Sequence, residues 1–248
     1  MVDLHSHILP GLDDGARSME ESLAMLRLAA GAGVTDMVAT THANDQFAFD
    51  PLVVARTIAE VQQACGENPQ IHYGCELHLT PENVAKALRH PEQYSIGRRG
   101  YVLVEFSDFS IPASAGQVLG QMLGAGMVPI VAHPERNPLL RGRQRELEKW
   151  IENGCLVQVT GQSLSGRFGK EARSAVLEWM KRGLVHFVAS DAHDLQHRPP
   201  GLEAAYRQVE ALFGEAMARR LFLENARCVL DGRALPVRES SRKRFAFW

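Results

Sequence analysis

Short apolar runs alternate with amphipathic stretches along nearly the whole chain, and this alternation restricts the fold more than any other feature. The strand-like runs cover residues 1–7, 36–42, 71–79, 101–106, 128–133, 156–161 and 186–191. Tyr101-Val102-Leu103-Val104 and Val128-Pro129-Ile130-Val131-Ala132 are continuously apolar, as strands buried on both faces are. Helical patterns lie between them near 18–33, 51–65, 81–90, 113–126, 143–154 and 170–183, with more helix at 201–226. Ser18 followed by Glu21 predicts a capping box, and Thr80-Pro81 predicts a cap followed by proline at the first helical position. Gly33, Gly126, Gly154 and Gly183 fall where helices should end in a left-handed residue. Such βα units predict an α/β fold, either a parallel barrel or a sharply curved parallel sheet. At 248 residues the chain is long for an average domain but ordinary for a barrel. With no repeat or long linker, a single domain is expected over residues 1–235. A short tail follows at 236–248, where Arg242-Lys243-Arg244 precedes Phe245, Phe247 and Trp248. It reads as a solvated or loosely docked terminus.

Charge and cysteine content narrow the setting. Net charge is −2, so no global basic field exists to hold nucleic acid. Cys65, Cys75, Cys155 and Cys228 form neither a CxxC pair nor a zinc-like spacing, which suits free thiols in a reducing compartment. The first residues lack the pattern of a secretory signal. No apolar run approaches the roughly 20 residues that span a bilayer. A cytoplasmic protein without membrane insertion is expected.

Metal-ligand residue types gather at the C-terminal ends of the expected strands. His5 and His7 end the first, two apart and so on one side of a strand. Asp13 and Asp14 follow in the next loop. His42, Glu76, Glu105 and His133 lie at or near the ends of the next four strands. Asp191 and His193 close the last. Parallel barrels carry their active sites at this edge. Imidazole with carboxylate suits zinc, manganese or iron. The donors are too many for one ion, because a catalytic zinc takes about three protein ligands; two or three ions sharing bridging carboxylates fit better. Each motif alone is weak, since a lone His-x-His or a lone glutamate commonly serves packing or an ion pair. The joint arrangement is another matter, because gathering so many ionisable groups at one mouth is costly without a cation. His72, His78, His90, His186 and His197 fall outside the pattern and are read as surface or core residues.

Arginines could serve an anionic substrate, since their forks match phosphate oxygens bidentately. Arg136 follows directly in His133-Pro134-Glu135-Arg136, and Arg198 follows Asp191–His193; both are candidate catalytic residues. Arg17 is read as a surface residue. The chain has no Gly-x-Ser-x-Gly elbow, no phosphate-binding GxxxxGK[ST] loop and no GxGxxG fingerprint. A thiol phosphatase is excluded too, because the cysteine-to-arginine spacing it needs is missing: Cys228 and Arg233 are one residue too close.

The motifs together resemble the polymerase-and-histidinol-phosphatase (PHP) superfamily, and more narrowly its bacterial protein tyrosine phosphatases associated with capsule and exopolysaccharide synthesis. The resemblance rests on Asp3-Leu4-His5-Ser6-His7 with Asp13-Asp14-Gly15, Val38-Ala39-Thr40-Thr41-His42, Gly74-Cys75-Glu76-Leu77 and Val102-Leu103-Val104-Glu105-Phe106. It continues through Ile130-Val131-Ala132-His133-Pro134-Glu135-Arg136-Asn137, Ser163-Leu164-Ser165-Gly166-Arg167-Phe168-Gly169 and Ser190-Asp191-Ala192-His193. It implies a distorted seven-stranded TIM-like (β/α)7 barrel with its active site at the C-terminal ends of the strands. It further implies a trinuclear centre, most often of manganese or iron, held by His5, His7, Asp14, His42, Glu76, Glu105, His133, Asp191 and His193. The substrate implied is phosphotyrosine on a protein, most naturally a tyrosine autokinase of polysaccharide export. Thr41, Ala43 and Asp194 depart from the family pattern, where proline, histidine and asparagine are expected; Asp194 could weaken phosphate binding or donate a proton. Two other readings use the same residues: a small-molecule phosphatase, such as one acting on histidinol phosphate, and a metal-bound regulatory module without activity.

Overall fold

A computed structural model describes residues 1–236, so the tail from residue 237 onward lies outside the described residues. The chain runs β1 (Val2–Ser6), α1 (Met19–Gly31), β2 (Asp36–Ala39), β3 (His42–Ala43), α2 (Pro51–Cys65), β4 (Gln70–Tyr73), β5 (Glu76–His78), α3 (Pro81–Arg89), α4 (Pro91–Tyr94) and β6 (Tyr101–Glu105). It continues with α5 (Ala115–Gly124), β7 (Val128–Ala132), α6 (Pro138–Arg141), α7 (Gln144–Glu152), β8 (Leu156–Thr160), α8 (Gly161–Leu164), α9 (Gly169–Arg182) and β9 (Phe187–Ala189). The last helices are α10 (Glu203–Phe213), α11 (Glu215–Arg219), a π-helical turn at Arg220–Glu224 and α12 (Asn225–Asp231).

The strands form two parallel sheets, one in the order β1-β2-β4 and one in the order β3-β5-β6-β7-β8-β9. The α/β class and the parallel pairing match the sequence expectation. The single continuous barrel sheet does not emerge, because two expected strands are each broken in the middle. The run 36–42 divides at Thr40-Thr41 into β2 and β3, and the run 71–79 divides at Gly74-Cys75 into β4 and β5. At the second break the neighbouring strand closes in. A Cβ on Gly74 would lie 2.6 Å from Val38 Cγ1 and 3.2 Å from the Ala39 carbonyl, so only glycine fits. The chain after β9 reaches back to β1 through a parallel bridge between Ser6 and Ala192. His7 N donates to the Ala192 carbonyl and Asp191 N to the His5 carbonyl, both at 2.8 Å.

Strand residues of both sheets share one apolar cluster: Val2, Leu4 and Val38 pack with Leu103, Ile130 and Phe187. Ala226, Val229 and Leu230 of α12 complete it. At this end Arg227 makes a two-armed ion pair with Asp36, the first residue of β2, and Asn225 Nδ2 donates to the carbonyl of His186, just before β9, at 2.9 Å. The C-terminal helices therefore close the N-terminal ends of the strands and leave the C-terminal ends open. A second, larger cluster fills the space between sheets and helices. Each fully buried large side chain, such as Phe187 or Leu103, contributes about 1.5–3 kcal/mol relative to exposure.

Local signals in the sequence are reproduced with one change. Ser18 Oγ accepts from Glu21 N at 3.3 Å, and Thr80 Oγ1 accepts from Asn83 N at 3.2 Å. The Glu21 carboxylate does not return to Ser18, however; it accepts from Arg17 N at 3.0 Å and pairs with the Arg17 guanidinium. Arg17 is thus a surface ion-pair residue, as its sequence context suggests. Gly33, Gly126, Gly154 and Gly183 all have positive φ at helix ends. No helix among the described residues is long and apolar enough to cross a membrane.

Candidate metal centre

The C-terminal ends of the strands bring nine nitrogen and oxygen donor residues into one cluster, and all nine are those picked out by the resemblance. They form four overlapping groups with donor atoms within 4.8 Å of one another: His7, Asp14, His42 and His193; His5, His7 and Glu76; His5, His133 and Asp191; His42, Glu76 and Glu105. Glu76, at the start of β5, is the hub. Its Oε2 lies 3.2 Å from His5 Nε2, 3.3 Å from His7 Nε2 and 3.1 Å from His42 Nδ1. Its Oε1 lies 3.0 Å from His133 Nε2, and Glu105 Oε1 stands 3.7 Å from the same nitrogen. Asp191 Oδ1 faces His5 Nε2 at 3.2 Å and His7 Nε2 at 3.5 Å. Asp14 Oδ1 faces His42 Nε2 at 3.3 Å and His193 Nε2 at 3.4 Å, which selects it over Asp13 for the cluster.

Backbone irregularities aim these side chains. The register of β1 against β2 shifts between Asp3 and Ser6, a bulge of the kind that re-aims residues near active sites. His133 and Asp191 adopt φ of 30° and 52°, a region that costs a non-glycine residue about 1–3 kcal/mol. Both strained residues are predicted ligands at strand ends. Gly15 completes the loop after β1, because a Cβ there would lie 2.0 Å from the His7 carbonyl oxygen.

Three imidazoles are turned by partners on their far nitrogen. His5 Nδ1 pairs with Gln158 Oε1 at 3.0 Å, His7 Nδ1 with Asp13 Oδ2 at 2.8 Å, and His193 Nδ1 with the Asp191 carbonyl at 3.0 Å. Each partner takes the Nδ1–H and leaves Nε2 as a lone-pair donor toward the cluster, the usual arrangement around metal-binding histidines. Asp13 therefore stands behind the centre as an orienting carboxylate. Gln158 lies on β8, within the Gln158-Val159-Thr160 stretch that belongs to the family resemblance, but the sequence does not assign its pairing with His5. His78, read from sequence as a surface or core residue, has Nδ1 3.4 Å from Glu105 Oε2. Its spacing of two from Glu76 on the same strand was the available clue.

The residues fit a group of cations. Glu76 Oε2, Asp191 Oδ1 and His42 Nδ1 are buried without a hydrogen-bond partner, and acceptor nitrogens of His5 and His7 stand 3.2 Å apart. Such a set leaves lone pairs converging on shared points, which a cation satisfies and a packed core does not. Burial would push the Glu76 carboxyl up, but His5, His42 and His133 hold it well below the usual range. Burial opposes ionisation of Asp191 as well, and is overcome by His5, Arg136, His7 and Arg198. Burial likewise disfavours a charged His7, yet Asp13 raises its pKa well above the ordinary imidazole value. Carboxylates held ionised among imidazoles in a dry site are the electrostatic setting of a polynuclear centre.

The two predicted arginines reach the site, though by one route. Arg136 Nη1 and Arg198 Nη2 both donate to Asp191 Oδ2, opposite the oxygen that faces the histidines. The Arg136 guanidinium also lies over the Phe168 ring, 4.6 Å from its centroid. Asp194, expected from sequence to weaken phosphate binding or donate a proton, has one carboxylate oxygen engaged in a turn. Its Oδ1 accepts from the backbone N–H groups of Gln196, His197 and Arg198; burial raises its pKa, but the three donors together hold it below the ordinary carboxylate value. It builds the turn that presents Arg198.

A TIM-like α/β scaffold with a candidate polynuclear site at its strand ends is the class that fold and cluster define. The chain belongs to the CpsB/CapC family of capsular polysaccharide synthesis, whose family profile matches residues 1–231. It is 32% identical over 256 residues to the tyrosine-protein phosphatase YwqE of Bacillus subtilis, covering 100% of both chains. It is 31% identical over 239 residues to the tyrosine-protein phosphatase CpsB of Streptococcus pneumoniae, covering 93% of this chain and 98% of that one. Among solved structures, one from the crystallographic pair of YwqE and CpsB, described as metal-dependent tyrosine phosphatases, superimposes with a TM-score of 0.88 at 31% identity. It covers 96% of this chain and 100% of that one. A lactonase from Listeria monocytogenes shares the fold at a TM-score of 0.59 and 15% identity.

Proposed function

We propose that this chain is a metal-dependent protein tyrosine phosphatase that hydrolyses phosphotyrosine on a protein, with a tyrosine autokinase of capsular or exopolysaccharide synthesis as the expected substrate. The observation that carries this reading is the cluster of nine donors in a chain that aligns end to end with a named tyrosine-protein phosphatase. His5, His7, Asp14, His42, Glu76, Glu105, His133, Asp191 and His193 would hold two or three divalent ions, manganese foremost, with iron or zinc as alternatives. Such ions, when bound, act as Lewis acids on a phosphoryl group and make water nucleophilic at neutral pH. The two sheets then act as one distorted seven-stranded barrel within a single unit over residues 1–235, working in the cytoplasm.

The chain's own groups do the rest. Glu76 and Asp191, buried and ionised, keep the centre anionic. Gln158 and Asp13 fix the tautomers of His5 and His7. Arg136 and Arg198, anchored on the outer oxygen of Asp191, keep further N–H donors for the phosphoryl oxygens and for charge that grows in the transition state. Phenolate leaves readily because tyrosine has a pKa near 10, so little acid assistance is needed. Two open grooves flank the cluster, one lined by Arg17, Asp194 and His197 at about 490 Å³ and one by Asp45, His78 and Phe109 at about 400 Å³. Their breadth suits an extended peptide on either side of the phosphorylated residue. The test is kinetic comparison of a phosphotyrosyl peptide with histidinol phosphate under manganese. Higher kcat/KM on the peptide supports the proposal, and preference for histidinol phosphate overturns the choice of substrate.

A further inference from the structure

The segment Ser163–Gly169, which the sequence singles out and the centre does not use, lies directly against the turn that carries Arg136. We propose that it is a platform that positions Arg136, with Phe168 and Glu135 as its two contact points. Phe168 presents its ring to the Arg136 guanidinium at 4.6 Å. Glu135, fully buried, accepts from Ser163 Oγ at 2.7 Å and from Thr160 N at 2.8 Å. The neighbouring residue of the turn is thereby tied to the start of α8. Arg141 Nη1 secures the same turn from its other side, donating to the carbonyls of Glu135 and Arg136 at 2.9 Å each. The platform is itself held. Arg173 Nε and Gln208 Nε2 both donate to the Leu164 carbonyl, at 3.0 and 3.1 Å, and Gly169 N donates to the Gly166 carbonyl at 3.0 Å.

Two features argue against a packing role for Phe168. Among the described residues it belongs to neither buried apolar cluster. It also occupies the N-cap of α9, where its side chain makes no capping hydrogen bond. Serine, asparagine or aspartate at that position would satisfy the free N–H groups of the first turn. An aromatic ring there forgoes that gain and stacks a cation instead. A guanidinium held on Asp191 at one end and over a ring on its face has little freedom left to swing, which is what a group aimed at a phosphoryl oxygen requires.

The inference rests on the phosphoryl-binding reading of Arg136, and one set of variants separates the two. In manganese-loaded protein, Phe168→Asn should leave metal content unchanged and leave thermal stability equal or higher, since asparagine caps the helix. It should lower kcat on p-nitrophenyl phosphate and on a phosphotyrosyl peptide by roughly 5- to 30-fold, and Phe168→Tyr should restore it. In an Arg136→Ala background the same Phe168→Asn change should cost nothing further, because coupled residues are non-additive. Arg136 Nε–H should also show a ring-current shift by NMR that vanishes in Phe168→Asn. Full activity of Phe168→Asn, an equal loss in both backgrounds, or an unshifted Arg136 signal would overturn the platform. Wild-type protein without any turnover would end the phosphatase reading, and the NMR signal would still decide the contact.

Discussion

Replacing Asp13 by asparagine changes one atom and removes at least one hydrogen bond. The carboxylate accepts from His7 Nδ1 and His42 N on Oδ2, at 2.8 and 3.2 Å, and from Gly15 N on Oδ1 at 3.1 Å. All three partners are donors on two different oxygens. An amide has one acceptor oxygen, so whichever way it turns, its NH2 group faces a donor. Either His7 loses the partner that fixes its tautomer or the Gly15 N–H is left unmet, and in both orientations the neutral amide no longer raises the basicity of His7 as a carboxylate does. Leaving one such donor unsatisfied costs about 1–3 kcal/mol, and loss of an outer partner to a metal-binding histidine costs about 10- to 100-fold in metal affinity. Competition of the apo-protein with a chromogenic chelator for manganese measures this directly. Asp13→Asn should bind at least one ion about 10- to 100-fold more weakly, with kcat largely recovered at saturating metal. Affinity equal to wild type for every ion bound would refute the claim that Asp13 orients a ligand.

Arg136→Ala should lower kcat by about 100- to 1,000-fold while manganese content, measured by elemental analysis, stays at the wild-type level. Gly15→Ala drives a methyl group into the His7 carbonyl, and overpacking against backbone costs about 1–3 kcal/mol or more. Scanning calorimetry should show a Tm lower by roughly 2–12 °C. Asp36, at the closed end, has its pKa held down: burial raises it, but hydrogen bonds from Arg227, His72 and Thr35 prevail. Its contribution to stability is therefore present above the unfolded carboxylate value of about 3.9 and fades as pH falls through the lower folded value. Arg227→Ala should cost about 1 kcal/mol at pH 7, the arginine being 38% exposed. That difference in denaturant midpoint should shrink as pH drops below about 4.

The donors could be read from the sequence because each stands at or just beyond a strand's C-terminal end, where a period of two and the barrel rule put it. Asp14 was separable from Asp13 only by its place beside Gly15, and geometry supports that choice. The connections among donors were not legible. Gln158 stands out as a polar residue within apolar β8, but its partner His5 lies 153 residues away and nothing local connects the two. The breaks at Thr40-Thr41 and Gly74-Cys75 depend on how closely two strands approach, which local propensity does not encode. The left-handed φ of His133 and Asp191 is imposed by tertiary context against the preference of both residues. Convergence of Arg136 and Arg198 on one oxygen of Asp191 needed the strand ends to be placed in space first.

The most direct test of the account is phosphate release from a phosphotyrosyl peptide by purified protein, with manganese present, after chelation, and after manganese is restored. Rapid turnover that disappears on chelation and returns with metal is the predicted result. Turnover that survives chelation, or none by protein shown to carry its metals, would contradict the assignment of the cluster as the catalytic centre of a tyrosine phosphatase.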